Sequence, residues 1–173
     1  MALGNAANSA LVLDGRTFFF SGTIASTMKK LVETLAGFEA EAVRFVSTLS
    51  QREHASLVTL KGELGAGKTA FTKVVARALG VEEIVNSPTF VLEKIYLLSD
   101  SRPFKRLIHI DAYRLTQGSD LAPLGFDELM QDAGNLILLE WPEKVADALP
   151  KSSVEISFVV HPNGSRTISY SYG

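Results

Sequence analysis

Eight consecutive residues offer the plainest chemistry in this chain: Gly62, Glu63, Leu64, Gly65, Ala66, Gly67, Lys68 and Thr69. They satisfy the pattern G-x-x-x-x-G-K-[ST], in which each residue type has a physical job. Glycines let the backbone curl where a side chain would intrude, because φ > 0 is cheap only without a Cβ. Successive N–H groups then converge on an anion, helped by the positive end of a following helix. The Lys68 ammonium reaches the β and γ phosphates of a nucleotide, and the Thr69 hydroxyl is placed for Mg²⁺. A Gly-rich turn that only caps a helix is the plain alternative. At average composition the pattern arises by accident in on the order of one chain in a hundred of this length, so its context must decide.

Phosphate chemistry also needs a carboxylate at the end of a buried strand, to hold the metal shell or orient water. Asp111 follows the apolar Leu107, Ile108 and Ile110, and Glu140 follows residues 136–139, so either acid qualifies. His109 alternates with its strand and reads as a packed histidine before a catalytic base. Trp141, the one tryptophan, lies between Glu140 and Pro142 as core or as a wall of the site. Ser87, Pro88, Thr89 and Phe90 form a hydroxyl-bearing segment of the kind that closes over a γ-phosphate, or an ordinary turn before a strand. Tyr113 and Arg114 supply a cation either to phosphates or to the fold.

These residues must be positioned by elements, and the apolar spacing predicts them. Residues 57–60 read as a short strand and 69–79 as an amphipathic helix closed by Gly80, which places the Gly-rich loop between strand and helix as the motif requires. Residues 90–98, 107–110 and 136–139 read as strands, and 121–131 as a short helix broken by Pro123 and Gly125. Period-two alternation over 154–160 and 166–172, around Pro162, Asn163 and Gly164, predicts a C-terminal β-hairpin. Upstream, Met28, Leu31, Val32 and Leu35 recur at helical spacing with Gly37 as terminator, and Ala42, Phe45, Val46 and Leu49 predict a second helix. Residues 1–26 form an N-terminal extension with a hairpin signal at Asp14-Gly15. The single domain, 27–173, is therefore expected to be α/β, with a mixed, mostly parallel sheet.

Composition bounds the rest. The 173 residues are 46% hydrophobic and 21% charged, within the globular range and long enough to bury roughly two thirds of the unfolded surface. Cysteine is absent, which excludes disulfides and thiolate metal sites. The start lacks a basic, apolar secretory leader and no apolar run approaches the ~20 residues of a membrane span, so the expectation is a cytoplasmic protein with no membrane partner. A net charge of −2 does not imply the cationic face of a stand-alone nucleic-acid binder.

Four motifs, in this order and spacing, resemble the TsaE (YjeE) family: residues 62–69; Ser87-Pro88-Thr89-Phe90; His109-Ile110-Asp111-Ala112-Tyr113-Arg114-Leu115; and Leu139-Glu140-Trp141-Pro142-Glu143. The likeness spans about residues 38–172. It implies a P-loop NTPase-like three-layer sandwich that binds ATP and Mg²⁺, hydrolyses slowly alone, and assists a two-protein transfer complex of the TsaD and TsaB type. That complex forms N6-threonylcarbamoyladenosine in tRNAs reading codons that begin with A, so tRNA is met only indirectly. By the same likeness Lys68, Asp111 and Glu140 are catalytic, Thr69 and Glu140 hold the metal, and Glu63, Leu64, Gly65, Ala66, Gly67, Lys68, Thr69, Ala70, Thr89 and Trp141 hold the nucleotide. Two departures stand out: the family's threonine near the start of its N-terminal helix is replaced by Ala42, and a second threonine after Thr69 by Ala70.

Rival readings remain from the residues alone. A small-molecule kinase would want an Arg-rich lid, yet the arginines are scattered from Arg16 to Arg166. A GTPase would want an Asn-Lys-x-Asp guanine reader, which is missing. A third rival is a nucleotide-gated interaction module with incidental hydrolysis, which Glu140→Ala discriminates.

Overall fold

A seven-stranded sheet organises the protein, and its central strands are the ones richest in β-branched and leucine side chains. The computed structural model describes residues 9–13, 16–20, 27–100 and 102–173. In chain order the elements are β1 (Ser9–Leu13), β2 (Arg16–Phe20), β3 (Thr27–Val32), α1 (Leu35–Val46), β4 (Ser56–Lys61), α2 (Lys68–Ala78), β5 (Glu93–Leu97), β6 (Arg106–Asp111), α3 (Phe126–Gln131), β7 (Asn135–Glu140), β8 (Val154–Val160) and β9 (Arg166–Tyr172). Short 3₁₀ turns cover Ala112–Arg114, Gly118–Leu124 and Pro142–Lys144. β1 and β2 pair antiparallel as a separate ribbon, Leu13 opposite Arg16; the turn expected at Asp14-Gly15 lies outside the described residues.

The sheet order is β3-β9-β8-β4-β7-β6-β5. β8, β4, β7 and β6 are mutually parallel, whereas β9 and β5 run against them, so the sheet is mixed with its parallel strands at the centre. β7 is buried at every position, as a strand covered on both faces must be. Its side chains alternate between two cores. Leu136 and Leu138 meet α1 and α2 on one face, with Phe38, Phe45, Phe71 and Phe158. Ile137 and Leu139 meet α3 and the 3₁₀ turns on the other, with Leu121 and Phe126. The result is three layers. No helix among the described residues is long and apolar enough to cross a membrane.

Several expectations are corrected. The helix read from Met28, Leu31, Val32 and Leu35 is instead strand β3, paired antiparallel with β9, Met28 opposite Tyr170 and Val32 opposite Arg166. As an edge strand it is largely exposed, so no alternation was imposed on its sequence and three apolar residues fell on helical spacing by coincidence. Gly37 does not end a helix but lies in the first turn of α1, its amide donating to the Thr34 hydroxyl at 3.1 Å. Thr34 is thus the N-cap of α1, and Ala42 lies fully buried in its second half. A threonine therefore stands at the start of this helix, eight positions before Ala42. In β5, pairing begins only at Glu93, because residues 88–92 turn back on Pro88, whose carbonyl accepts from the amides of Val91 and Leu92.

Candidate functional site

β4 delivers the chain to the Gly-rich loop, and α2 leaves from it. Gly62 has φ 148°, and a Cβ there would lie 2.8 Å from the carbonyl oxygen of Phe158 on β8, so neither the conformation nor the space admits another residue. Gly67 caps α2 in the left-handed region with φ 112°, and its missing Cβ is the space taken by the Phe38 ring of α1. The loop is therefore clamped by the aromatic core beneath it: Phe71 on α2 meets Phe38, Phe45 and Phe158 at ring separations of 6.0, 5.6 and 5.4 Å. Each such ring is worth roughly 1.5–3 kcal/mol of burial, enough to hold a curled backbone in place.

Both strand-end acids emerge on the α2 side of the sheet, side by side, because parallel pairing puts Asp111 opposite Glu140. They are 3% and 2% exposed, and neither is idle. Glu140 accepts from the Thr69 hydroxyl at 3.0 Å through Oε2, and His109 Nε2 lies 2.8 Å from its Oε1. Asp111 accepts from the Thr89 and Ser87 hydroxyls through Oδ2, and from the Tyr113 amide at 3.0 Å through Oδ1. The lysine turns inward. Lys68 Nζ donates to the carbonyls of Gly62 and Glu63 at 2.6 and 2.9 Å and lies 3.6 Å from the centre of the Trp141 ring. Burial pushes the Lys68 pKa down, against the pull of Glu140, Glu143 and Asp111.

These groups surround a cavity of about 380 Å³, lined by Leu64, Gly65, Gly67, Lys68, Thr69, Ala70, Ser87, Thr89, Asp111, Tyr113, Glu140 and Trp141. Its size fits a small ligand. A larger hollow of about 680 Å³ lies at the far end of α2, around Arg77 and Ile84, but contains none of the convergent groups. Among the residues singled out from sequence, Glu63 and Ala66 stay off the cavity: Glu63 is exposed and Ala66 buried, its amide bonded to the Glu63 carbonyl. Trp141 forms a wall, its ring 5.1 Å from that of Tyr113, with its backbone in the left-handed region at φ 61°. Such strain in a bulky residue gathers at sites rather than in ordinary turns. Arg114 is taken up by the fold, donating to the Phe90 carbonyl at 2.6 Å and lying against its ring.

Sequence reasoning read His109 as a packed histidine and named Ser87 only as part of a hydroxyl-bearing segment. His109 is fully buried and bonded to Glu140, a contact that follows only once β6 and β7 are known to be parallel and in this register.

The oxygen chemistry suits a hard cation. Among the described residues no group of three or more His, Asp or Glu side chains could cage a metal, whereas one carboxylate beside one hydroxyl matches Mg²⁺, which keeps waters and shares phosphate oxygens.

A mixed sheet with the Gly-rich loop between its central strand and α2 defines a P-loop NTPase-like fold. The particular family follows from comparison: residues 25–168 match the family model of TsaE, "Threonylcarbamoyl adenosine biosynthesis protein TsaE", and the chain belongs to that family. It is 39% identical over 117 residues to the tRNA threonylcarbamoyladenosine biosynthesis protein TsaE of Treponema pallidum, covering 68% of this chain and 82% of that protein. The protein of the same name in Bacillus subtilis is 38% identical over 114 residues, 66% of this chain and 68% of its own. The crystal structure of YdiB from Bacillus subtilis superposes with a TM-score of 0.69 at 28% identity, over 87% of this chain and 88% of that one.

Proposed function

We propose that this chain is an ATP-binding and ATP-hydrolysing accessory subunit of tRNA threonylcarbamoyladenosine biosynthesis. The observation that carries the reading is the Thr69–Glu140 bond beneath the Gly-rich loop, which joins the hydroxyl and the carboxylate suited to one Mg²⁺ at the mouth of a cavity that also holds Lys68 and Asp111. Family membership gives that site its pathway.

In this reading the loop amides and the N-terminus of α2 hold the β and γ phosphates, and Lys68 leaves its two carbonyls to meet them. Thr69 and Glu140 hold Mg²⁺, which when bound neutralises charge on the phosphate oxygens. Asp111 orients the attacking water. Its Oδ2 is bonded to Thr89 and Ser87, so the loop at 87–89 sets the direction of the free lone pairs. Trp141 and Tyr113 wall off solvent. Turnover is slow when the chain acts alone, since positioning supplies most of phosphoryl-transfer catalysis and the partner proteins complete it. The partners are the two proteins of a threonylcarbamoyl transfer complex, of the TsaD and TsaB type, and tRNA is met through them.

Reconstitution tests this. The chain is added to the two transfer proteins with tRNA, threonine, bicarbonate and ATP, and modified adenosines are counted per complex. Repeated turnover with the wild-type chain and loss of it with Lys68→Ala is the expected result. Equal modification with both chains overturns the reading.

A further inference from the structure

The imidazole of His109 makes one polar contact, and it is to Glu140. Nε2 lies 2.8 Å from Oε1, with the two side chains 0% and 2% exposed, while among the described residues Nδ1 is buried without a partner. A carboxylate oxygen only accepts, so the ring hydrogen facing it belongs to Nε2. A histidine kept for packing alone would be replaced to advantage by an apolar side chain, because the unpaired Nδ1 costs stability and adds no bond. The imidazole must therefore be accounted for by what it does to Glu140.

Glu140 uses one oxygen for each neighbour: Oε1 for His109 on β6, Oε2 for Thr69 on α2. These bonds are not equivalent. Thr69 belongs to the phosphate loop, and its hydroxyl is the group that turns to a metal in the reading above. His109 stands in a fully packed strand between Ile108 and Ile110, both without exposed surface, and has nowhere to turn. We propose that His109 is a positioning residue that locks Oε1 of Glu140 and so presents Oε2, in one orientation, to the metal shell. The inference rests on the nucleotide-and-metal reading of the site, and concerns how the carboxylate is aimed rather than whether it binds. Partners of this outer kind are typically worth 10–100-fold in metal affinity.

Three substitutions separate this role from packing. His109→Gln can place an amide N–H near Nε2, His109→Asn only near Nδ1, and His109→Leu nowhere. Mn²⁺ binding to the ATP-loaded protein is read by electron paramagnetic resonance, and metal-free ADP binding is read in the presence of chelator. Weaker Mn²⁺ binding in His109→Leu and His109→Asn by 10–100-fold, with Gln within about threefold of wild type and ADP binding unchanged throughout, is the expected result. Wild-type Mn²⁺ affinity in folded His109→Leu overturns the proposal, as does Gln behaving like Leu. ¹⁵N-histidine spectra of the unaltered protein give a test that needs no folded variant: a hydrogen on Nδ1 and none on Nε2 overturns it as well. Failure of the wild type to bind ATP and Mn²⁺ would remove the underlying reading, an outcome distinct from a wild type that binds both while His109→Leu binds them equally.

Discussion

Two carboxylates end neighbouring strands in register, with the same burial and the same cavity before them, yet their surroundings differ in kind. Glu140 is held by a strand and a helix, through His109 and Thr69. Asp111 is held by a loop, through Ser87 and Thr89, and by the amide of the turn that follows it. Loop 87–92 is held by polar bonds more than by packing: Phe90 and Val91 are 87% and 66% exposed. A group fixed by packed elements keeps its geometry through a catalytic cycle, while one fixed by loop hydroxyls changes when the loop does. The proposed function would thus use one acid held by packed elements and one held by a loop.

The sharpest way to break that comparison is to remove each acid. Glu140→Ala should abolish metal-dependent nucleotide binding and lower hydrolysis by about 100-fold or more. Asp111→Asn should lower hydrolysis by roughly 10²-fold, as expected for a group that orients or deprotonates water, with Mn²⁺ affinity within about threefold of wild type. Parallel hydrolysis assays and Mn²⁺ titrations decide it; identical losses of metal binding would erase the distinction.

Stability should divide along the same line. Leu138→Ala opens a hole in the fully buried strand that carries Glu140, and should cost about 2–5 kcal/mol in urea unfolding. Phe90→Ala, on the loop that serves Asp111, should change stability by no more than about 0.5 kcal/mol while altering turnover. Within that loop, Thr89→Val removes one of the two hydroxyls on Oδ2 and should reduce hydrolysis about tenfold, with Ser87→Ala smaller because its bond is longer at 3.1 Å. A Thr89→Val variant with full activity would show that Asp111 does not depend on the loop.

The strand of Glu140 and the Gly-rich loop were legible in sequence; much of what surrounds both acids was not. Residues 62–69 announce themselves because their chemistry is contiguous, and β8 and β9 follow from strict alternation around Pro162, Asn163 and Gly164. β3 was missed because an exposed edge leaves its pattern unconstrained. The His109–Glu140 and Thr89–Asp111 bonds join residues 31 and 22 positions apart, and only the strand register brings them together.

The smallest expected effect is the one most evenly shared by the two acids. Burial lowers the Lys68 pKa from 10.5, and Glu140 opposes this more than Asp111 does. Protonated Lys68 is the form that attracts phosphate, so the affinity for metal-free ADP should fall as pH rises through its folded pKa, earlier than an ordinary lysine would allow. Removing a neighbouring anion lowers that pKa further. Glu140→Gln should therefore move the decline to lower pH, and Asp111→Asn should move it in the same direction by less. The stability sign is opposite to that of affinity: between the depressed folded pKa and 10.5 the unfolded chain binds more protons, so Lys68 contributes rising stability with pH across that window. Fluorescence of Trp141, whose indole the ammonium covers at 3.6 Å, reports the same proton in the nucleotide-free protein. A decline in affinity at the same pH in all three proteins would mean that neither acid feels Lys68, and that the lysine's charge is governed by burial alone.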